Sequence, residues 1–265
     1  MEVRSIVALA AGLVVLGAGA VQASNMAFLV RYQLTYDAGG ASNLHWVSIP
    51  YHYQPPDVNG NGVVDAEDLI QDLQPRAYTR PCQVGSSGPD VCAVYQVWRW
   101  DESTGSYQTY RLNDFGTGLF TLTPGEAYGL DIQAVGSNTT HDLELVGGND
   151  PTFQLQYCFD PSADNSHWFS LPPNLMIPDS NGNGQVDAED LGQAMGGPDW
   201  IYQIRRYDTA TGLQQVWRVG SAFGTPFTID ATEGYILDLT CPNTSGGCTS
   251  PGSDPCTWTW SPPHY

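Results

Sequence analysis

Two short stretches of this chain carry oxygen-bearing side chains at a spacing that can wrap a hard cation: DVNGNGVVDAEDL at 57–69 and DSNGNGQVDAEDL at 179–191. Calcium takes 6–8 oxygen ligands. A loop with carboxylates or amides at positions 1, 3, 5, 9 and 12, and a backbone carbonyl at position 7, can supply them. In the first loop these donors are Asp57, Asn59, Asn61, the carbonyl of Val63, Asp65 and Asp68. In the second they are Asp179, Asn181, Asn183, the carbonyl of Gln185, Asp187 and Asp190. Position 6, where the chain turns sharply and a Cβ is costly, is Gly62 in one and Gly184 in the other. An Asn-Gly-rich surface turn could mimic one such match, but two full matches favour a metal. Two Ca2+ ions are expected, one per loop. With Asp at position 12 the affinity is expected at about 10⁻⁵–10⁻³ M, the range of extracellular modules or somewhat tighter.

Asp68 and Asp190 stand where an EF-hand loop has a bidentate Glu. With that substitution, and a helix expected only on the C-terminal side, each stretch resembles the single loop-helix unit of type I dockerins. Dockerins carry two such units close together in one small module. Here the units lie 122 positions apart (57 to 179), so the resemblance covers two short segments and does not extend to cohesin binding.

The elements around the loops repeat as well. HWVSIP at 45–50 matches HWFSLP at 167–172 at the offset of the loops, whereas YQVWRWD at 95–101 matches YQIRRYD at 202–208 at an offset of 107 (95 to 202). TGSYQTYRL at 104–112 and FTLTPGEAYGLDI at 120–132 have counterparts at 211–219 and 227–239. The shorter offset places an insertion in the first copy at about 76–94, which carries Cys82 and Cys92. A period near 100 residues is far longer than a solenoid repeat. The sequence therefore predicts a mainly β fold of two tandem homologous β-rich domains, each with one calcium loop followed by a short helix. Their expected bounds are 25–146 and 150–241, with a Cys/Gly/Ser/Pro-rich tail at 242–265. Leu69, Ile70 and Leu73 mark the buried face of the first helix, and Leu191, Ala194 and Met195 that of the second.

Across 265 residues the net charge is −19, from 28 acids against nine arginines and no lysine. Such a surface repels phosphate backbones and anionic headgroups, which argues against nucleic-acid and peripheral-membrane binding. Residues 1–23 read as a secretory signal peptide: Arg4, an apolar run from Ile6 to Ala20, and cleavage after Ala23. Export to the extracellular space or cell surface is expected, with no membrane insertion after cleavage. Six cysteines in an exported chain point to disulfides. Cys82–Cys92, Cys248–Cys256 and Cys158–Cys241 are the pairing the spacing suggests among 15 possibilities.

Trp98, Trp100, Tyr107, Tyr110, Tyr207 and Trp217 are candidates to stack on sugar rings, while Trp46 and Trp168, like Tyr128 and Tyr235, recur at matched positions and read as core. Trp258 and Trp260 would share a face of an extended segment and dock on a partner. The recurring His45 and His167 read as structural, and no GxSxG, HExxH or phosphate-binding glycine loop is present. The expected function is therefore non-enzymatic: a secreted calcium-binding structural protein, a subunit of an extracellular fibre or layer that associates with itself. The alternatives are a calcium-dependent adhesion module for another protein or a glycan, and a secreted hydrolase.

Overall fold

The computed structural model describes residues 27–40, 42–74, 92–112, 118–148, 153–160, 164–241 and 257–263. The signal-peptide segment, the Cys82-containing insertion and the Cys248–Cys256 pairing lie outside the described residues. Among the described residues no helix is long and apolar enough to cross a membrane.

The molecule is mainly β. In chain order the N-terminal half contains β1 (Ala27–Thr35), β2 (Leu44–Ser48), the helix α1 (Ala66–Asp72), β3 (Val94–Asp101), β4 (Ser106–Arg111), β5 (Ala127–Ile132) and β6 (Thr140–Gly148). The C-terminal half contains β7 (Leu155–Cys158), β8 (Ser166–Phe169), α2 (Ala188–Ala194), a 3-10 turn (Gly197–Asp199), β9 (Ile201–Asp208), β10 (Leu213–Arg218), β11 (Tyr235–Leu239) and β12 (Thr257–Trp260). Two antiparallel four-stranded sheets run β2-β5-β3-β4 and β8-β11-β9-β10, and two-stranded sheets join β1 to β6 and β7 to β12. Strand order and chain order are thus the same in both halves. Each large sheet also carries its register shift beside the last residue of its second strand, at Val94/Gln96 opposite β5 and at Asp238/Leu239 in β11.

Alternation along the strands decides what is buried. In β6 alternate residues His141, Leu143 and Leu145 are buried. Leu143 and Leu145 join Val30, Tyr32, Leu34, Leu69, Ile70, Leu73, Val97 and Tyr128 in the N-terminal core. The C-terminal core gathers Leu155, Phe169, Leu191, Met195, Ile204, Tyr235 and Leu237. Trp258 and Trp260 belong to this core too, which corrects the expectation that they dock on a partner. They are 3% and 5% exposed, β12 pairs with β7, and the Trp258 indole Nε1 donates to the Met195 carbonyl at 2.9 Å. Burying two indoles on one face of a strand removes far more apolar area from water than an exposed docking tail would.

The halves are clasped by a reciprocal set of bonds. Ser48 Oγ donates to the Glu233 carbonyl (2.5 Å) and accepts from Leu171 N (3.0 Å). Ser170 Oγ donates to the Glu126 carbonyl (2.6 Å) and accepts from Ile49 N (2.8 Å). The backbones follow suit, Ser48 N to Thr232 O and Ser170 N to Gly125 O. Between these clasps the Trp46 and Trp168 rings stack at 3.5 Å and 20°. Both are buried as expected, in a third cluster with Ala127 and Ile236 that lies between the halves.

Cys92 and Cys241 are in disulfides, whereas Cys158 is a free, exposed thiol. This overturns the Cys158–Cys241 pairing. Cys158 is aligned with Thr257 at the end of the β7–β12 ladder, so the strand it was meant to tie down is held by backbone pairing to β12.

Candidate metal centre

Each loop is shaped by its first aspartate. Asp57 Oδ1 accepts from Gly60 N (2.7 Å) and Asn61 N (3.1 Å), and Oδ2 accepts from Gly62 N (2.8 Å). Asp179 holds Gly182, Asn183 and Gly184 at 2.7, 3.1 and 2.8 Å. The curl demands left-handed backbone at positions 4 and 6, where φ is +72° and +78° in the first loop and +71° and +83° in the second. Glycine is the residue that adopts this without strain, which is why the NGNG run sits there.

Positions 3, 5 and 9 converge. Asn59 Nδ2 and Asn61 Nδ2 both donate to Asp65 Oδ2, at 3.0 and 2.7 Å. Asn181 and Asn183 do the same to Asp187, at 3.0 and 2.7 Å. The amide oxygens look along the chain instead, Asn59 Oδ1 accepting from Asn61 N and Asn61 Oδ1 from Val63 N. Val63 and Gln185 therefore contribute their N–H groups to the loop's own bonding.

The ninth and twelfth residues also start the helix. Asp65 and Asp187 are N-caps, each accepting from the second and third residues beyond it, while Asp68 and Asp190 accept in return from the cap's own N–H. This reciprocal capping box satisfies orphan donors at the helix start, and the acidic first turn suits the helix dipole. Asp68 and Asp190 also reach back to the loop entrance. Asp68 Oδ1 accepts from Val58 N, and Asp190 Oδ1 from Ser180 N and Oγ. Burial pushes the Asp68 carboxyl above its ordinary range. At Asp190 burial acts in the same direction, but the hydroxyl and backbone donors of Ser180, with Asp187 N and Asn181 N, outweigh it and hold the carboxyl low. Ser for Val at position 2 accounts for the additional hydroxyl donor at that site.

Three supports of the loops were not read from the sequence. The loop exits are stitched to the segments ahead of β5 and β11: Ala66 N to Phe120 O and Leu122 N to Val64 O, with Ala188 N to Phe227 O and Ile229 N to Val186 O. Arg99 and Arg206 brace those segments. They lie over the Phe120 and Phe227 rings at 5.1 and 4.9 Å and donate to the Thr121 and Thr228 carbonyls. Position 11 ties each loop to the outer strand of its sheet, through Tyr110 to Glu67 and Trp217 Nε1 to Glu189 Oε2 (2.7 Å). The signal was present, since Glu67 and Glu189 recur in the two AEDL segments and Arg99 and Arg206 share the offset of β3 and β9.

Among the described residues no three His, Cys, Asp or Glu side chains come together as a metal cluster. In each loop two amides stand with the carboxylates, so the candidate donors are three carboxylates and two amides, with the position-7 carbonyl as the sixth expected from the spacing. All are hard oxygen donors, the chemistry that suits calcium and not zinc or copper. Of the aromatic candidates, Trp217 is 6% exposed beneath the Glu189 bond, and Trp98 is half-buried with Nε1 on Asp131 Oδ2 at 2.6 Å. Trp100, Tyr107 and Tyr207 pack at or beside the inter-half cluster.

No protein family, curated protein or solved structure matches this chain.

Proposed function

We propose that this chain is an exported, non-enzymatic structural protein, a tandem duplicate in which each half is stabilised by one calcium ion, and that it serves as a subunit of an extracellular fibre or layer. The observation that carries the reading is the repetition of one hydrogen-bond cage at both loops, bond for bond, from the aspartate that curls the loop to the aspartate that caps the helix. Asp57, Asn59, Asn61, Asp65 and Asp68 in the first loop, and Asp179, Asn181, Asn183, Asp187 and Asp190 in the second, would hold the ion through hard oxygen donors. The duplication is supported by the shared strand order of the two sheets and by the reciprocal serine clasp.

Several features favour self-association. The strands β4 and β10 are the outer members of their sheets. Leu213 and Val216 on β10 are 68% and 52% exposed. The chain also has no lysine, a common guard of sheet edges. Disulfides at Cys92 and Cys241 suit an oxidising compartment.

The test is calorimetric titration of chelator-stripped protein with calcium, with thermal melts, on wild type, Asp57→Ala and Asp179→Ala. Two sites are expected, each abolished by its own substitution. At 100-fold saturation each ion contributes about 2.7 kcal/mol, which raises Tm by about 5–11 °C for a chain of this size. No binding heat and no shift would reject the calcium reading. Electron microscopy showing only dispersed monomers in calcium, at every concentration, would reject assembly.

A further inference from the structure

The two outer strands differ in what they show to solvent. At the offset relating β9 to β3, Leu213 and Val216 of β10 stand where β4 has Ser106 and Thr109. They are 68% and 52% exposed, and Phe223, in the loop that leaves β10, is 87% exposed. None of the three belongs to the C-terminal core, so holding that half together does not call for apolar side chains there. On β4 the matching surface is spent inside the molecule. Tyr107 lies 4.9 Å from Trp100 and 6.3 Å from Trp168, at the position where β10 has Gln214.

Among the described residues β10 has β9 on one side and no strand on the other. Val219 N donates to Tyr202 O at the end of that ladder. Alternation then turns the backbone groups of Leu213, Gln215 and Trp217 toward β9, and those of Gln214 and Val216 away from it. The edge is also well anchored. Arg205 Nη1 donates to Gln214 Oε1 and Arg206 Nε to Gln215 Oε1, both at 2.9 Å, while Trp217 Nε1 is held by Glu189. A strand fixed before it pairs gives up little entropy on pairing.

A second β10 matches this edge. Run antiparallel about a two-fold axis at Val216, the outward groups of Val216 exchange both bonds with Val216 of the partner subunit, and Gln214 comes opposite Arg218 of the partner subunit. The strand contains no acid and one arginine, so this register sets no like charges face to face in a chain whose net charge is −19. Each Val216 gains an apolar neighbour, and Leu213 falls beside Val219 of the partner subunit. A strand from an unrelated partner would need its own match to this sequence, whereas β10 is its own match.

We propose that β10 is the docking edge for a second copy of this chain, joining the two C-terminal sheets into one continuous antiparallel sheet across a two-fold axis. The proposal rests on the self-association reading above and names its contact. A two-fold pair closes on itself, so the pair is the building block of the larger assembly. One strand edge is a small interface, for which a Kd of about 10–100 µM is expected. Sedimentation equilibrium of the whole protein in calcium, over a concentration series that brackets this Kd, should show monomer giving way to dimer. Val216→Lys and Leu213→Lys should each weaken the dimer about tenfold or more, and Ser106→Lys on β4 should leave it unchanged, with circular dichroism and Tm preserved in all three. In a Cys158→Ser background, mild oxidation should link Val216→Cys copies into dimers and leave Gln214→Cys copies unlinked, because only residue 216 faces itself across the axis at a spacing a disulfide spans. A wild type that stays monomeric, dimers that both folded β10 variants keep at full strength, or equal linking at both cysteine positions would overturn the proposal. Filaments in the electron microscope that survive both β10 variants would remove this contact and leave the assembly reading standing, whereas a wild type with neither filaments nor dimers would remove both.

Discussion

Replacing Ser170 by alanine tests whether the halves form one cooperative body. The hydroxyl is fully buried, donates to the Glu126 carbonyl and accepts from Ile49 N. Alanine leaves both groups buried and unpaired, each at about 1–3 kcal/mol. Allowing for some relaxation, the cost is about 3 kcal/mol. For a chain of this size 1 kcal/mol moves Tm by about 2–4 °C, so Tm should fall by about 6–12 °C. Ser48→Ala removes the mirror-related bonds to Glu233 O and Leu171 N and should cost a similar amount. Because Ser48 and Ser170 stand in one clasp, each next to a residue the other bonds, the double variant should depart from additivity by about 0.5 kcal/mol or more. Calorimetric scans and urea melts of the four proteins measure this. A single transition that moves as a whole is the expected result. A loss under 1 kcal/mol for Ser170→Ala, or two resolved transitions in the wild type, would refute the reasoning.

Gly234→Ala places a Cβ 2.7 Å from the Ala127 Cβ and 3.3 Å from the Val47 backbone, so a loss of about 1–3 kcal/mol is expected in denaturant melts. Burial pushes the Glu126 carboxyl above its ordinary range. A raised folded-state pKa means that its contribution to stability is fully present below the unfolded pKa and lost as pH rises through the folded value. Glu126→Gln should therefore raise Tm at pH 7 relative to wild type, and the difference should shrink as pH falls toward 4. Iodoacetamide on the unreduced protein should alkylate the Cys158 peptide and leave the Cys92 and Cys241 peptides unmodified until a reductant is added, as peptide mass mapping would read directly.

Local order was the legible part of this chain. The short helix after each loop and the apolar faces Leu69-Ile70-Leu73 and Leu191-Ala194-Met195 follow from spacing within a dozen residues, and all of these side chains are buried except Ala194, which is partly so. What joins distant segments was not legible. Trp258 and Trp260 looked unattached because their partner strand lies about 100 residues upstream, and no local pattern names it. Ser48 and Ser170 read as ordinary strand residues ahead of a proline, since the carbonyls they serve come from the opposite half. The Cys158–Cys241 pairing failed for the same reason: covalent geometry depends on a distance that sequence separation does not report. The position-11 glutamates were visible as repeats, but their role depends on where β4 and β10 fall.

The placement of the last strand sets an order of events for a chain that leaves its channel amino end first. By Gly148 the N-terminal half has all its strands, β6 closing on β1. The C-terminal half cannot seat Trp258 and Trp260 against β7 until residue 260 has emerged. In the interval β7 and the floor of its core wait uncovered, and Trp168 already has a finished Trp46 surface to settle on. The first half can therefore act as the template on which the second assembles, with β12 as the latch. Truncation before Thr257 would be expected to release a half-finished protein whose exposed β7 edge recruits strands from its neighbours.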